Sequence, residues 1–124
     1  MTPLAPQLAA FLREYLPRDR ACSAHTCESY AYAFQLLVCF AADRHGTSPS
    51  ALTLEQLDAS VVLAFLEHLE EVRGNSAATR NARLAAIKSF AHFIEYRLPS
   101  AINQVRRILA IPVKKTDETI VPFL

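Results

Sequence analysis

Ser76-Ala-Ala-Thr79-Arg80-Asn81-Ala-Arg83-Leu84-Ala-Ala-Ile87-Lys88-Ser-Phe90, continued by Ala91-His92-Phe93-Ile94, is the stretch on which the fold turns. Leu84, Ile87, Phe90, Ala91 and Ile94 recur at steps of three and four, which makes one apolar stripe along a helix, with Ala86 and Phe93 beside it. Asn81, Lys88, His92 and Glu95 fall on the opposite side. Gly74 interrupts the chain before this helix, Asn75 or Ser76 caps its start, and Pro99 stops it after about Arg97. Arg80 and Arg83 lie in the first two turns and point roughly the way the stripe does. They stay solvated only if the core ends short of the helix start.

The same period organises the chain upstream. Leu8, Phe11, Leu12, Tyr15 and Leu16 predict a first helix from about Pro6 to Leu16, ended by Pro17 and the charged Arg18–Arg20. A second helix starts at the N-cap Ser23 and runs to about His45, with Thr26, Tyr30, Phe34, Leu37 and Ala41 on one face and Gly46 as its stop. Thr53-Leu54-Glu55-Gln56 reads as a capping box opening a short turn of helix. Asp58 or Ser60 then caps a third main helix through Val72, whose stripe is Val61, Val62, Phe65, Leu66 and Leu69. His68, Glu70 and Glu71 are expected in water. Downstream, a short helix from about Ala101 to Ala110 packs Ile102, Val105, Ile108 and Leu109 and turns Arg106 and Arg107 outward. From Pro112 the pattern stops, and residues 112–124 read as an extended linker. The expectation is an all-α fold, a compact orthogonal bundle of four to five helices, over residues 1–111.

Composition agrees. Apolar residues make up 52% of 124, which excludes a disordered tail, and only two glycines, Gly46 and Gly74, leave little room for a barrel or a phosphate-binding loop. No apolar run approaches the length of a membrane span, and no leader is evident, so the chain reads as cytosolic. The three cysteines, Cys22, Cys27 and Cys39, are an odd number. Cys22, His25 and Cys27 lack a second ligand pair downstream, so free thiols in a helical core are expected, with no metal and no cofactor. Net charge is only +1, but its distribution is polarised. Residues 47–72 hold five acidic side chains (Glu55, Asp58, Glu67, Glu70, Glu71) and no Lys or Arg, whereas residues 73–97 hold five basic ones (Arg73, Arg80, Arg83, Lys88, Arg97) against Glu95. Either ordinary solvated faces or a polarised binding surface fits that pattern.

Two segments taken together resemble a known family. Ser23-Ala-His-Thr26-Cys-Glu-Ser-Tyr30, leading to Phe34 and Phe40, is similar to the S-x-x-T-x-x-x-Y opening of the first long helix in core-binding domains of tyrosine recombinases, the phage integrase family. Ser76 to Phe90 resembles the family's S-x-x-T-x-N-x-R-L-x-A-I-x-x-F helix. Leu57–Leu66 looks like its acidic helix, and Ile111-Pro112-Val-Lys-Lys with Val121-Pro-Phe-Leu124 is similar to the connector into its catalytic domain. The resemblance covers about residues 6–124. It implies a SAM-like helical bundle that, with a larger C-terminal catalytic domain, clamps duplex DNA beside other recombinase subunits. It also implies that the helices beginning at Ser23 and Ser76 lie against the major groove.

Those helices have the chemistry to hold DNA. A helix start presents unpaired N–H groups and a positive dipole end, which suits phosphate. Ser23 and Ser76 are therefore candidate contacts as well as caps. Thr26 and Thr79 add hydroxyls, and His25 and Ser29 share the outer side of the first of these helices. Arg80 and Arg83, three apart, can reach a phosphate or guanine edge together. Lys88 lies further along, and Lys114 and Lys115 would follow the DNA backbone as the linker wraps. Arg83 also borders the apolar stripe and can instead pair with Glu67, Glu70 or Glu71. Tyr30 and Tyr32 can stack on bases, Tyr30 being better placed for the core. Glu28, on the exposed side, opposes phosphate. With near-neutral charge the isolated domain is expected to bind weakly, at about micromolar or weaker, with linked binding through the second domain supplying the rest.

No residue here is expected to be catalytic. The family's H-x-x-R box is absent: His25, His45, His68 and His92 each lack an Arg three residues later, and Tyr15, Tyr30, Tyr32 and Tyr96 lie within predicted helices. Two other readings compete: a helical protein-interaction module without DNA binding, and a small helix-turn-helix regulator, which the long helix from Ser76 fits poorly.

Overall fold

The computed structural model describes residues 1–116. Among these residues there are five α-helices and no β-strand: α1 (Leu4–Ala10), α2 (Ala24–His45), α3 (Ala59–Glu71), α4 (Ala77–Arg97) and α5 (Ile102–Leu109). No helix among them is long and apolar enough to cross a membrane. The expected stripes are the observed core. Val61, Val62, Phe65, Leu66 and Leu69 of α3 and Leu84, Ile87, Phe90, Ala91 and Ile94 of α4 are all buried. Helix α4 packs against α2, α3 and α5. It is therefore buried along most of its inner face, which is why its apolar stripe is the broadest in the sequence.

Pro17 does not end the first helix. The chain passes from α1 into a wider π-helical coil over Phe11–Asp19 with Pro17 inside it. A proline removes one backbone donor and its ring crowds the carbonyl four residues back, and a wider coil relieves that crowding without ending the helix. The chain leaves only after Asp19, where Ala21 adopts a left-handed conformation at φ 50°. The expected C-terminal stop at Gly46 is present, at φ 66°.

The π-helical coil carries Phe11, which is fully buried and touches aromatic rings from three helical segments. Its ring centroid lies 5.8 Å from Tyr15, 6.4 Å from Tyr30 and 5.9 Å from Phe34, and 5.3 and 5.5 Å from Phe90 and Phe93. Most of these pairs are tilted or edge-to-face, the arrangements aromatic quadrupoles favour. Phe34 and Phe90 also meet directly at 5.4 Å. One ring thus fixes the first helical segment, α2 and α4 relative to one another.

The segment between α2 and α3 is held from both sides. Leu52, Leu54 and Leu57 are buried. The N-terminus pairs with this segment through Leu4 N–H to Leu52 O at 3.1 Å and Leu54 N–H to Thr2 O at 2.7 Å. The Thr2 N–H donates to Glu55 Oε1 at 2.9 Å and holds that carboxyl below its usual range. The capping box appears as the Gln56 amide oxygen accepting the Thr53 N–H at 3.0 Å, over a short 3₁₀ turn at Leu54–Gln56. On the α5 side, Gln104 Nε2 donates to Leu54 O at 2.8 Å and Leu57 O at 2.9 Å.

Two substitutions test this account by chemical denaturation. Phe11→Ala is expected to cost about 3–5 kcal/mol of stability, the range for deleting a fully buried aromatic ring. Ala21→Gly is expected to stabilise the chain by about 0.5–1 kcal/mol, because glycine removes left-handed strain worth more than the extra unfolded-state entropy it brings.

Candidate nucleic-acid interface

The starts of α2 and α4 are built alike. Ser23 Oγ accepts the Thr26 N–H at 3.1 Å and donates to Thr26 Oγ1 at 3.1 Å. Ser76 Oγ does the same with Thr79, at 3.2 Å for both contacts. Each serine satisfies one of the donors that a helix start leaves free, and the next ones, on Ala24 and His25 and on Ala77 and Ala78, have no intrahelical acceptor. Each threonine oxygen receives the serine's proton and so keeps its own for an outside acceptor. Ser23, His25, Ser29 and Ser76 are exposed, while Thr26 and Thr79 are half-buried.

Helices α2 and α4 pack against each other. Arg83 of α4 sits over the Tyr32 ring of α2, its guanidinium carbon 5.2 Å from the centroid. Further along both helices Phe90 meets Phe34. The half-buried Arg83 therefore bridges the two helices by a cation–π contact. It makes no ion pair with Glu67, Glu70 or Glu71 among the described residues.

Arg80 departs from its expected surface position. Only 8% of it is exposed, and its Nη1 donates to Pro112 O at 3.1 Å and to Asn81 Oδ1 at 3.0 Å. The core does not stop short of the helix start, because the returning chain after α5 covers it. The guanidinium is thus engaged with the protein's own backbone, and its Nε, also buried, has no partner among the described residues.

The first residues after α5 are fastened to the body. Lys114 N–H donates to Asn81 Oδ1 at 2.9 Å, and Asn81 Nδ2 donates to Lys114 O at 2.6 Å. Lys114 Nζ contacts both oxygens of Glu70 at 2.9 Å, so its charge is matched. Arg80, Glu67, Glu70, Glu71 and Lys114 line a cleft of about 530 Å³ between α3 and this returning segment. Lys88 is half-buried and Lys115 exposed. Neither makes an ion pair among the described residues. The apolar Val121-Pro122-Phe123-Leu124, read above as part of a connector, lies outside them.

Other placements differ in detail. Cys22 and Cys27 are half-buried beside the core, whereas Cys39 is exposed, not in the core. His68, expected in water, is half-buried with its ring 5.1 Å from Phe40. Glu28 is exposed, as expected.

The sequence profile described as "Phage integrase, N-terminal SAM-like domain" matches residues 8–97, most of the chain. The chain belongs to this family. The integrase-type domain also has relatives that span its whole bundle. "Putative integrase/recombinase y4rD" of Sinorhizobium fredii (strain NBRC 101917 / NGR234) is 46% identical over 112 residues, covering 90% of this chain and 40% of that protein. "Putative integrase/recombinase y4rC" of the same organism is 41% identical over 121 residues, covering 98% of this chain and 36% of that protein. The chain therefore spans well under half the length of these relatives. No solved structure matches it at a significant level.

Within this SAM-like domain, sequence reasoning placed the two capped starts but foresaw neither the Arg83 contact with Tyr32 nor Asn81 and Glu70 as partners of the returning chain. The available signal was the Asn81 of the S-x-x-T-x-N pattern: an amide carries both a donor and an acceptor, the pair needed to dock one backbone residue. Gln104 had no comparable signal.

The caps yield a direct test. Ser23→Ala and Ser76→Ala are each expected to lower stability by about 1 kcal/mol. Thermal melts should show nearly additive losses in the double variant, since the two caps share no partner.

Proposed function

We propose that this chain is the DNA-gripping N-terminal part of a site-specific tyrosine recombinase. In this reading it clamps duplex DNA while a catalytic domain of the same protein cuts and rejoins strands. The observation that carries the reading is the pair of like-built, serine-capped starts of α2 and α4, on two helices joined by Arg83 over Tyr32. A positive dipole end with free N–H groups suits a phosphate, and two of them suit two phosphates of a duplex backbone.

The working surface comprises Ser23, His25, Thr26 and Ser29 on α2 and Ser76, Thr79, Arg83 and Lys88 on α4, with Lys115 following. Hydroxyls and backbone donors fix register on phosphates, and Arg83 is the side chain best able to reach a base edge. Arg80 supports this surface from beneath rather than touching DNA, because its guanidinium is buried and engaged with Pro112 and Asn81. Glu28 weakens the grip, so the domain relies on the rest of the recombinase for affinity. The phosphotyrosyl chemistry belongs to that remaining part, and no residue of this chain is assigned to it. Its partners are double-stranded DNA and other recombinase subunits on the same DNA.

Fluorescence anisotropy with a short mixed-sequence duplex tests the reading. Binding should weaken steeply between about 50 and 200 mM salt, as counterion release requires. Arg83→Glu should cost roughly tenfold or more in affinity by the same electrostatics. The same charge change at Arg107, which lines a cleft with Asp58 and Ser60 at the start of α3, should cost little. Equal losses at both positions would contradict the proposed surface.

A further inference from the structure

The returning segment after α5 is gripped in a manner that a passive linker does not need. Three side chains hold two of three consecutive residues: Arg80 takes the carbonyl of Pro112, Asn81 takes both backbone groups of Lys114, and Glu70 takes the Lys114 ammonium with both carboxylate oxygens. The grip spans the end of α3 and the start of α4, and Ile111, just before it, is buried. A side-chain amide that pairs with the N–H and C=O of one residue reproduces the bonding of a neighbouring β-strand, which fixes the direction of the chain as well as its position.

The chemistry of the third contact is what suggests a switch. A carboxylate offering two oxygens to an ammonium presents the same acceptors as a phosphate. Lys114 is about half exposed and Glu70 less than a quarter exposed, so the pair can be opened from the solvent side. The Lys114 backbone is docked on Asn81, immediately beyond the Thr79 of the α4 cap, so its ammonium is tethered close to the proposed phosphate-binding start.

We propose that Glu70, Asn81 and Arg80 form a latch for residues 112–114, in which Glu70 occupies Lys114 in place of a DNA phosphate, so that latch closure and duplex binding compete for the same ammonium. The competition rests on the duplex-binding reading above, whereas the latch does not. Free domain keeps the chain after α5 directed along the start of α4. Bound duplex draws Lys114 from Glu70, and the segment then leaves the domain held by Arg80 and Asn81 alone. Arg80 and Asn81 act as positioning residues in this scheme, and Glu70 as an internal competitor.

The test uses the whole chain and two readouts. Amide hydrogen exchange by NMR should find the Lys114 N–H protected in the natural sequence and exchanging at least tenfold faster in Asn81→Ala, with the helices of the variant still protected. In anisotropy with the same duplex, Glu70→Gln should bind roughly two- to fivefold more tightly, the size expected of one partly exposed ion pair. That gain should vanish in a Lys114→Ala background. An unprotected Lys114 amide in the natural sequence would overturn the latch. A Glu70→Gln gain that persists without Lys114, or no gain at all, would overturn the competition. Absence of duplex binding by every form would overturn the duplex-binding reading and the competition with it, while the Lys114 amide would still decide the latch.

Discussion

The burial of the Phe11 ring between α2 and α4 is the constraint on which the other features of this domain depend. Fully burying such a side chain is worth about 1.5–3 kcal/mol before any aromatic geometry is counted. What matters more is where the ring stands. It is delivered by a helical segment that carries a proline, and it reaches Tyr30 and Phe34 on one neighbour and Phe90 and Phe93 on the other. Besides that wedge, Tyr15 meets Phe93 at 4.9 Å, but among the described residues only Phe11 touches rings of both α2 and α4 from the first helical segment. Without it, among the ring and cation–π contacts of the described residues, α2 and α4 would meet through Phe34–Phe90 and Arg83–Tyr32. The wide π-helical coil around Pro17 belongs to the same constraint: it keeps the chain helical through Phe11, Tyr15 and Leu16, so that all three remain on the inner side.

Most of the bundle was legible because burial in a helical protein leaves a period in the sequence. The stripes of α3 and α4 and the serine caps of α2 and α4 follow from local chemistry, and the structure has them where period and capping rules place them. Pro17 was misjudged because the rule that proline ends a helix assumes four-residue bonding, and the wider coil evades it. The candidate site was legible only in part. Ser23, Ser76 and their threonines are local features, whereas the fate of Arg80 depends on a segment more than thirty residues later folding back over it. No period or cap announces such a return. The amide of Asn81 signalled a backbone partner without saying which, and Glu70 was offered to Arg83, not to Lys114, for the same reason.

The fate of the basic residues also revises what the charge pattern means. An acidic α3 followed by a basic α4 suggested a polarised surface, yet part of that charge is consumed internally. Arg80 serves Pro112, and Lys114 serves Glu70. The cations left for an outside partner near the α2 and α4 starts are fewer than the count of residues implied. A net charge of +1 and an exposed Glu28 point the same way. In the proposed duplex-binding reading, so little free positive charge would leave the grip to helix dipole ends and hydroxyls more than to bulk attraction.

That balance has a consequence for how such a domain would work within a longer recombinase. Electrostatic affinity from many free cations is insensitive to register, because each phosphate resembles the next. In the proposed reading, a grip made by helix starts and one arginine would lose contacts when displaced along the backbone, so a weak hold would also be a positioned one. Weak positioned binding is useful only if something else supplies residence time, and a tethered second domain does so by raising the local concentration. The direction in which the chain leaves α5 then becomes part of the binding energy, since a connector aimed away from the duplex would waste the tether. Fastening residues 112–114 to the start of α4 would set that direction, and in the proposed reading would tie the fold of this domain to the placement of the catalytic part of the recombinase.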